Sequence, residues 1–469
     1  MFTDEHERNL FRSADTIETR SYAFYDWEAS VGTADSVRRS VRLFYRDRID
    51  RKIDGSLLQG AARADQYGAQ LLLRGANDSR FSMQLSNRRL RVIDPELFTQ
   101  APENTLVGRL EYTAKWWKGF VQSTTFYEVG SGLEQRREFI YLEVPAGQGV
   151  YVWIDYNNNQ VKELNEFEVA AFSYEANYIR SFVQSNDYVK TYSNQWSESI
   201  ALQPARVVKG ARKMGKFVAR LSSSSTFRID RKTSQEDGWN RFNPLLIGID
   251  DSVLLTTNAL LRNVVFYNKA NPKFGLDYTR QTNQTRNLLS NGYESRIDVL
   301  QQGGLRWNFI QTLTFYTEVR SGRKEAASDF LSGRNYTIVY TGVQPKVTYQ
   351  PDPTLRMSLS ALYNEKENTQ GAETAVVRKL AADCALNALE KGTLRAEVNF
   401  YSINYAGASG NSLAFEMLEG LQPGYNFTWV IGFQKNLSEA IQLNLQYNGR
   451  KPMSTEIIHA GSMQIRAVF

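Results

Sequence analysis

LRWNFIQTLTFYTEV, residues 305–319, alternates almost without a break. Leu305, Trp307, Phe309, Leu313, Phe315 and Val319 fall on one side of an extended chain; Arg306, Asn308, Thr312, Thr314 and Glu318 fall on the other, with Arg320 next. Side chains of a strand point alternately to opposite faces, so a period of two predicts a strand with one apolar and one polar side. The pattern returns at residues 394–401, 425–434 and 441–448, and upstream at 41–48, 67–74 and 106–116. Several of these strands read as at least twice the length of a typical sandwich strand.

Connectors between the strands alternate between short and long. Counting back from the C-terminus, residues 436–438, 390–392, 351–353, 268–272 and Gly303-Gly304 read as short turns on one side. Residues 450–455, 406–423, 364–373, 321–333, 282–290 and 231–251 read as outer connectors on the other, several of them long. Short inner turns and longer outer loops are the habit of membrane barrels. The expected fold is therefore all-β: a large antiparallel transmembrane β-barrel of about 20 strands. About six strands are expected before one long connection and about thirteen after it. Residues 1–18 read as an N-terminal tail, 19–131 as the first strand group, 132–186 as a long outer connection, and 187–469 as the second group.

Composition agrees with that fold and removes others. Mean hydropathy is −0.45, and no apolar run reaches the length of a membrane-crossing helix. A crossing strand needs only about ten alternating residues, and its polar face keeps the mean hydropathy low. The net charge of +6 is spread along the chain, so no nucleic-acid footprint is read. One cysteine, Cys384, excludes an internal disulfide framework and reads as a small apolar filler. The charged start, MFTDEHERNLFRS, has no apolar core and is not a signal peptide. An exported barrel needs one, so either it has been removed or the chain is the C-terminal part of a longer polypeptide. No nucleophile elbow, phosphate loop or paired-Cys motif appears, and His459 reads as a packing residue, so no enzyme activity is expected.

Inside the long connection lies YVWIDYNNNQVKELNEFE, residues 151–168. Asp155, Asn157, Asn159, the Val161 carbonyl, Glu163 and Glu166 occupy positions 1, 3, 5, 7, 9 and 12 of a twelve-residue loop. Hard oxygens at that spacing, closed by a Glu, point to calcium as the expected ion. The sixth position, usually Gly, is Gln160, and an ordinary polar loop has the same composition.

VYVWIDYNNNQVKELNEFEVAAF with ANYIRSFVQSNDYVKTYSNQW, and FEMLEGLQPGYNFTW at 415–429, resemble segments of large outer-membrane proteins of the Bacteroidota. In that family the loop is commonly richer in Asp and Gly than it is at Asn159 and Gln160. The resemblance implies a C-terminal β-barrel region in the cell outer membrane. GSMQIRAVF at the chain end, with Met463, Ile465, Ala467 and Phe469 on one face, resembles the C-terminal signal strand read by the outer-membrane insertion machinery.

These observations lead to a transport or translocation pore, or the membrane part of a surface assembly. Arg306, Arg320 and Arg395 are candidate lumen-lining charges. The expected partners are outer-membrane lipid, the insertion machinery and accessory membrane or periplasmic proteins. The alternative is a soluble surface or adhesive protein of several sheets with a structural calcium loop. In that case the apolar faces would meet each other between stacked layers.

Overall fold

The computed structural model describes residues 2–7, 21–33, 38–55, 57–75, 78–99, 102–208, 213–234, 242–243, 253–289, 292–329, 332–388, 392–438, 441–453 and 456–467. Within them lie twenty-two strands, assigned to one sheet, and every pairing described is antiparallel. The chain divides into two units. The first comprises Met1–Arg136, Ser185–Val207 and Ser224–Leu260; the second comprises Arg137–Gln184, Val208–Ser223 and Leu261–Phe469.

In the first unit, β1 (Phe2–Glu7), β2 (Tyr22–Gly32), β3 (Arg39–Asp54), β4 (Leu57–Arg74), β5 (Arg80–Val92) and β6 (Glu103–Trp116) pair in chain order. β6 pairs with the start of β7 (Val121–Glu143). Residues 2–7, expected in a tail, instead form β1 against β2.

The second unit begins with the end of β7, then the short strands β8 (Tyr151–Trp153) and β9 (Phe167–Val169), which pair with each other. β10 (Tyr178–Leu202), β11 (Leu221–Thr233) and β12 (Leu254–Tyr267) each have residues in both units, and the helix α1 (Lys213–Ala219) precedes β11. The long connection is thus residues 144–177, shorter than the expected 132–186, because β7 and β10 continue into it.

There follow β13 (Phe274–Leu289), β14 (Gly292–Ile310), β15 (Leu313–Ser328), β16 (Tyr336–Tyr349), β17 (Leu355–Asn368), β18 (Thr374–Ala388) and β19 (Gly392–Ala406). After the helix α2 (Ser412–Leu418) come β20 (Gly424–Asn436), β21 (Ile441–Pro452) and β22 (Ile458–Ala467). Each of β13 to β21 pairs with its successor.

One turn differs from expectation. Gly303-Gly304 is not a turn but the middle of β14, and the chain reverses at Gln311-Thr312. Ile310 faces Leu313, but beyond a register shift between Asn308 and Ile310 the pairs become Asn308–Thr314 and Trp307–Phe315. The two-residue turn swaps odd and even faces; the one-residue bulge swaps them back. Apolar odd positions therefore continue through the reversal, which is why 305–319 reads as a single strand.

Burial is inverted relative to a soluble protein. In the second unit Leu359 is 67% exposed and Leu380 61%, and Trp307, Val319, Phe400, Phe427 and Ile431 are exposed as well. On the opposite face Asn364 and Asn426 are only 3% exposed, and Ser358, Lys366, Asn368, Asn399, Thr428 and Asn448 are also buried. The exposed apolar positions lie side by side across strands: Phe315–Val347, Val347–Leu359, Phe400–Phe427 and Ile431–Tyr447 are register partners. The first unit repeats the pattern, with Leu43, Tyr67 and Leu85 exposed on one face and Asp26 and Ser86 buried on the other.

Candidate functional site

Two segments of the second unit lie on the polar face of its strands. One is the 144–177 connection; the other is α2 with its flanking turns. Asn411 caps α2 by accepting the Ala414 N–H at 2.7 Å. The helix stops where Glu419 and Gly420 take left-handed φ values of 58° and 73°, and the Gly420 N–H donates to the Phe415 carbonyl at 3.0 Å. Ala414, Met417 and Leu418 are the buried side of the helix. Ala414 and Leu418 cluster with Val377 and Ile403 of β18 and β19, against which Phe172 of the connection also packs, and Met417 clusters with Tyr336, Ile338 and Ala375 of β16 and β18.

Four ion pairs fasten these segments, each with its cation on a strand or strand connector and its anion on the docked segment. Lys324 of β15 meets Glu416 at 2.5 Å, and Lys366 of β17 meets Glu419 at 2.7 Å. Arg450 of β21 meets Glu175 at 2.7 Å, and Arg334, just before β16, meets Glu168. Lys366 also donates to the Met417 carbonyl at 2.9 Å. Burial pushes the Glu419 carboxyl up, but the charge and hydrogen bond of Lys366 outweigh it and hold the group below the usual range. Burial raises Glu175, and the nearby Arg450 charge only partly offsets it.

The 155–166 loop is ordered by its own side chains. Asp155 accepts the N–H groups of Asn159 (3.2 Å) and Gln160 (2.9 Å), Asn157 accepts that of Asn159 (3.0 Å), and Asn159 accepts that of Val161 (2.7 Å). The Asn159 amide reaches Glu163 at 3.1 Å and that of Asn157 reaches it at 3.4 Å. Gln160 has φ +61°, the conformation for which Gly is usual at the sixth position. Asp155, Asn157, Asn159 and Glu163 are thus drawn together. Glu166 is held apart: its Oε2 accepts from Trp153 Nε1 at 2.8 Å and from the Glu163 N–H at 3.3 Å, while its buried Oε1 has no partner. Among the described residues no three His, Cys, Asp or Glu side chains form a metal-holding group. In the loop as folded the Asp155, Asn157 and Asn159 oxygens accept backbone N–H groups, and Glu166 serves as a cap.

Two cavities border the docked segments. One of about 170 Å³ is lined by Arg320, Lys324, Asn364, Lys366, Glu416 and Glu419. One of about 790 Å³ lies between β8, the α2 region and β20 to β22.

Of the three arginines singled out in the sequence, Arg320 lines the smaller cavity. Arg306 donates to the Asn271 carbonyl at 2.6 Å, at the turn before β13. Arg395 is exposed, on the face that carries Asn399. Met463, Ile465 and Ala467 share an exposed face of β22 opposite Leu445, Leu443 and Ile441; Phe469 lies outside the described residues. His459 stacks on Tyr447, with its Nδ1 2.8 Å from the Tyr447 hydroxyl. The clamp cations Lys324 and Lys366 escaped the sequence reading. Strand parity puts them beside Arg320 and Asn364, and two glutamates within the otherwise apolar FEMLEGL were the signal for their partners.

No family model and no curated protein matches the chain. Solved structures similar to it include the copper transporter OprC (9% identity, 99% of this chain and 74% of that one, TM-score 0.39). Another is the ferric yersiniabactin uptake receptor FyuA from Yersinia pestis (8% identity, 99% and 72%, TM-score 0.38). OmpF of Salmonella typhi is a third (9% identity, 88% and 97%, TM-score 0.30).

Proposed function

We propose that the chain is a β-barrel of the bacterial outer membrane that serves as a transport or translocation pore, its opening obstructed by the 144–177 connection and α2. One observation carries this reading: extended rows of apolar side chains are exposed while Asn, Thr, Ser and Lys on the opposite face are buried. In water, a residue such as Leu359 left two-thirds exposed forgoes roughly 1–2 kcal/mol of burial, and dozens of such residues would be untenable. In hydrocarbon the same face is at rest, and the polar face lines a lumen.

The docked segments add the second element. Four ion pairs between wall cations and segment carboxylates are what a removable obstruction needs: specific in place, yet less costly to withdraw than an all-apolar contact. A membrane anchor for a surface assembly fits the outward face equally well, and the obstruction favours a pore.

Membrane fractionation tests the proposal. The chain should remain in the membrane after alkaline carbonate extraction and leave it only with detergent. Recovery in the soluble fraction, monodisperse without detergent, would return the soluble multi-sheet protein to first place.

A further inference from the structure

In the first unit, β3, β4 and β5 bring three donor side chains into one row. Arg46 is the register partner of Gln66, and Gln66 that of Arg88, so all three rise from the polar face. Neighbouring strands lie about 4.8 Å apart, so the two arginines start roughly 10 Å from each other across Gln66. With Arg48, Ala64 and Asp50, further along the same face, they line a cavity of about 250 Å³. That is the liquid volume of about eight waters, enough for an oxyanion and part of a group attached to it.

The charges on this face do not balance. Asp26 accepts from Arg46 Nε at 2.8 Å, and Asp50 accepts from Arg48 Nε at 2.8 Å. Arg42 pairs with Glu28 at 2.5 Å. Among the described residues the side chains of Arg88 and Gln66 make no ion pair or hydrogen bond. The guanidinium groups are within reach of solvent: the Arg46 side chain is 43% exposed, that of Arg48 38%, and Arg88 is half-buried.

Three guanidinium groups against one carboxylate repel a metal cation and leave a surplus charge that a neutral polyol does not match. Arginine forks fit paired oxygens of phosphate or carboxylate. Asp50 selects between them. Arg48 takes its Oδ1, which leaves Oδ2 to accept a proton donor. A sulfate or carboxylate has no proton to give and is repelled there, whereas a phosphate that keeps a proton donates its P–OH.

We propose that this cavity binds a protonated phosphate group, with Arg88, Arg46 and Gln66 donating to its oxygens and Asp50 accepting its hydroxyl. Free phosphate and a phosphomonoester share that chemistry. The site needs only the geometry of the first unit and goes beyond the pore reading.

Isothermal titration calorimetry at pH 6 on the full chain in phosphatidylcholine nanodiscs, referred to empty nanodiscs, tests it; a chain that proves soluble is measured in buffer instead. The probes, at equal ionic strength, are inorganic phosphate, glucose 6-phosphate, sulfate and glucose. About half of a monoester still carries its second proton at that pH. Saturable binding of phosphate or of the ester is expected, and the tighter of the two identifies the source. Arg88→Gln should weaken it about ten- to hundredfold, and Arg88→Lys by less. Asp50→Asn should abolish the preference over sulfate. Arg89→Gln makes the same charge change on the opposite face of β5 and should leave binding as it is. The proposal falls if neither phosphate probe binds, if sulfate or glucose binds as tightly, if Arg88→Gln binds as wild type does, or if Arg89→Gln weakens binding as much as Arg88→Gln.

Discussion

Gly420 lies directly against Ala171: a Cβ added to Gly420 would overlap the Ala171 methyl. The first residue follows α2 and the second belongs to the connection between β7 and β10, so segments far apart in the chain touch at a point with no spare volume. The contact means that the two stretches fold as a single docked body.

Gly420→Ala tests that body. The substitution meets both the contact and a φ of +73°, so docking should weaken by about 1–3 kcal/mol. Hydrogen exchange should speed up in 144–177 and 409–423 together, with β13 to β15 unchanged. Loosening of 409–423 alone would separate the two segments.

The ion pairs give the docked body two pH dependences of opposite sign. Glu419 is held below the usual carboxyl range, so its contribution is full above about pH 4.3 and is lost as pH falls through its folded value. Glu175 is raised, so its contribution declines as pH rises through its folded value. After correction for intrinsic exchange, protection of α2 should fall on acidification from pH 5 to 3, and Glu419→Gln should flatten that fall. Protection around Glu175 should decline as pH rises above the ordinary carboxyl value of about 4.3, and Glu175→Gln should remove the decline.

Strand count and facing were legible because parity survives local irregularity, as the bulge at Asn308–Ile310 shows: it hid a turn and left every face correctly assigned. Among the described residues thirteen strands follow the connection, and six of the seven before it correspond to the expected ones. Strand ends were less legible: β7 carries Gly130 and Gly132 where the first strand group was expected to end, yet the strand runs through them to Glu143, and β10 begins before the expected boundary. At the loop, Asp155, Asn157, Asn159 and Glu163 are joined by hydrogen bonds, which the Asn- and Glu-rich composition allows without an ion. The clamp did not show in spacing, because Lys324 and Glu416 meet across ninety-two residues and only packing brings them together.

Calcium is expected to act on the loop weakly. The gathered side chains bring only two carboxylates, Asp155 and Glu163, and affinity follows ligand charge. Millimolar calcium should slow amide exchange at 155–163, magnesium should not, and Glu163→Gln should cancel the effect. Exchange indifferent to calcium would mean that hydrogen bonds alone close the loop.

Leu359→Arg separates hydrocarbon from water on the apolar face. Leu359 is an exposed position of β17 flanked across strands by Val347 and Ala382. In a protein whose apolar face meets water, a guanidinium there is accommodated by solvent and stability changes by less than about 0.5 kcal/mol. In a bilayer the cost is about 2–4 kcal/mol near the midplane and falls toward the interfaces. Denaturant unfolding from lipid vesicles should therefore show a loss of that order for Leu359→Arg and little change for Leu359→Phe, which keeps the face apolar. Arg395, on the opposite face, gives the converse: Arg395→Leu should leave stability nearly unchanged while altering ion selectivity in planar bilayers. A neutral Leu359→Arg would mean that the exposed rows of β13 to β22 face something other than lipid.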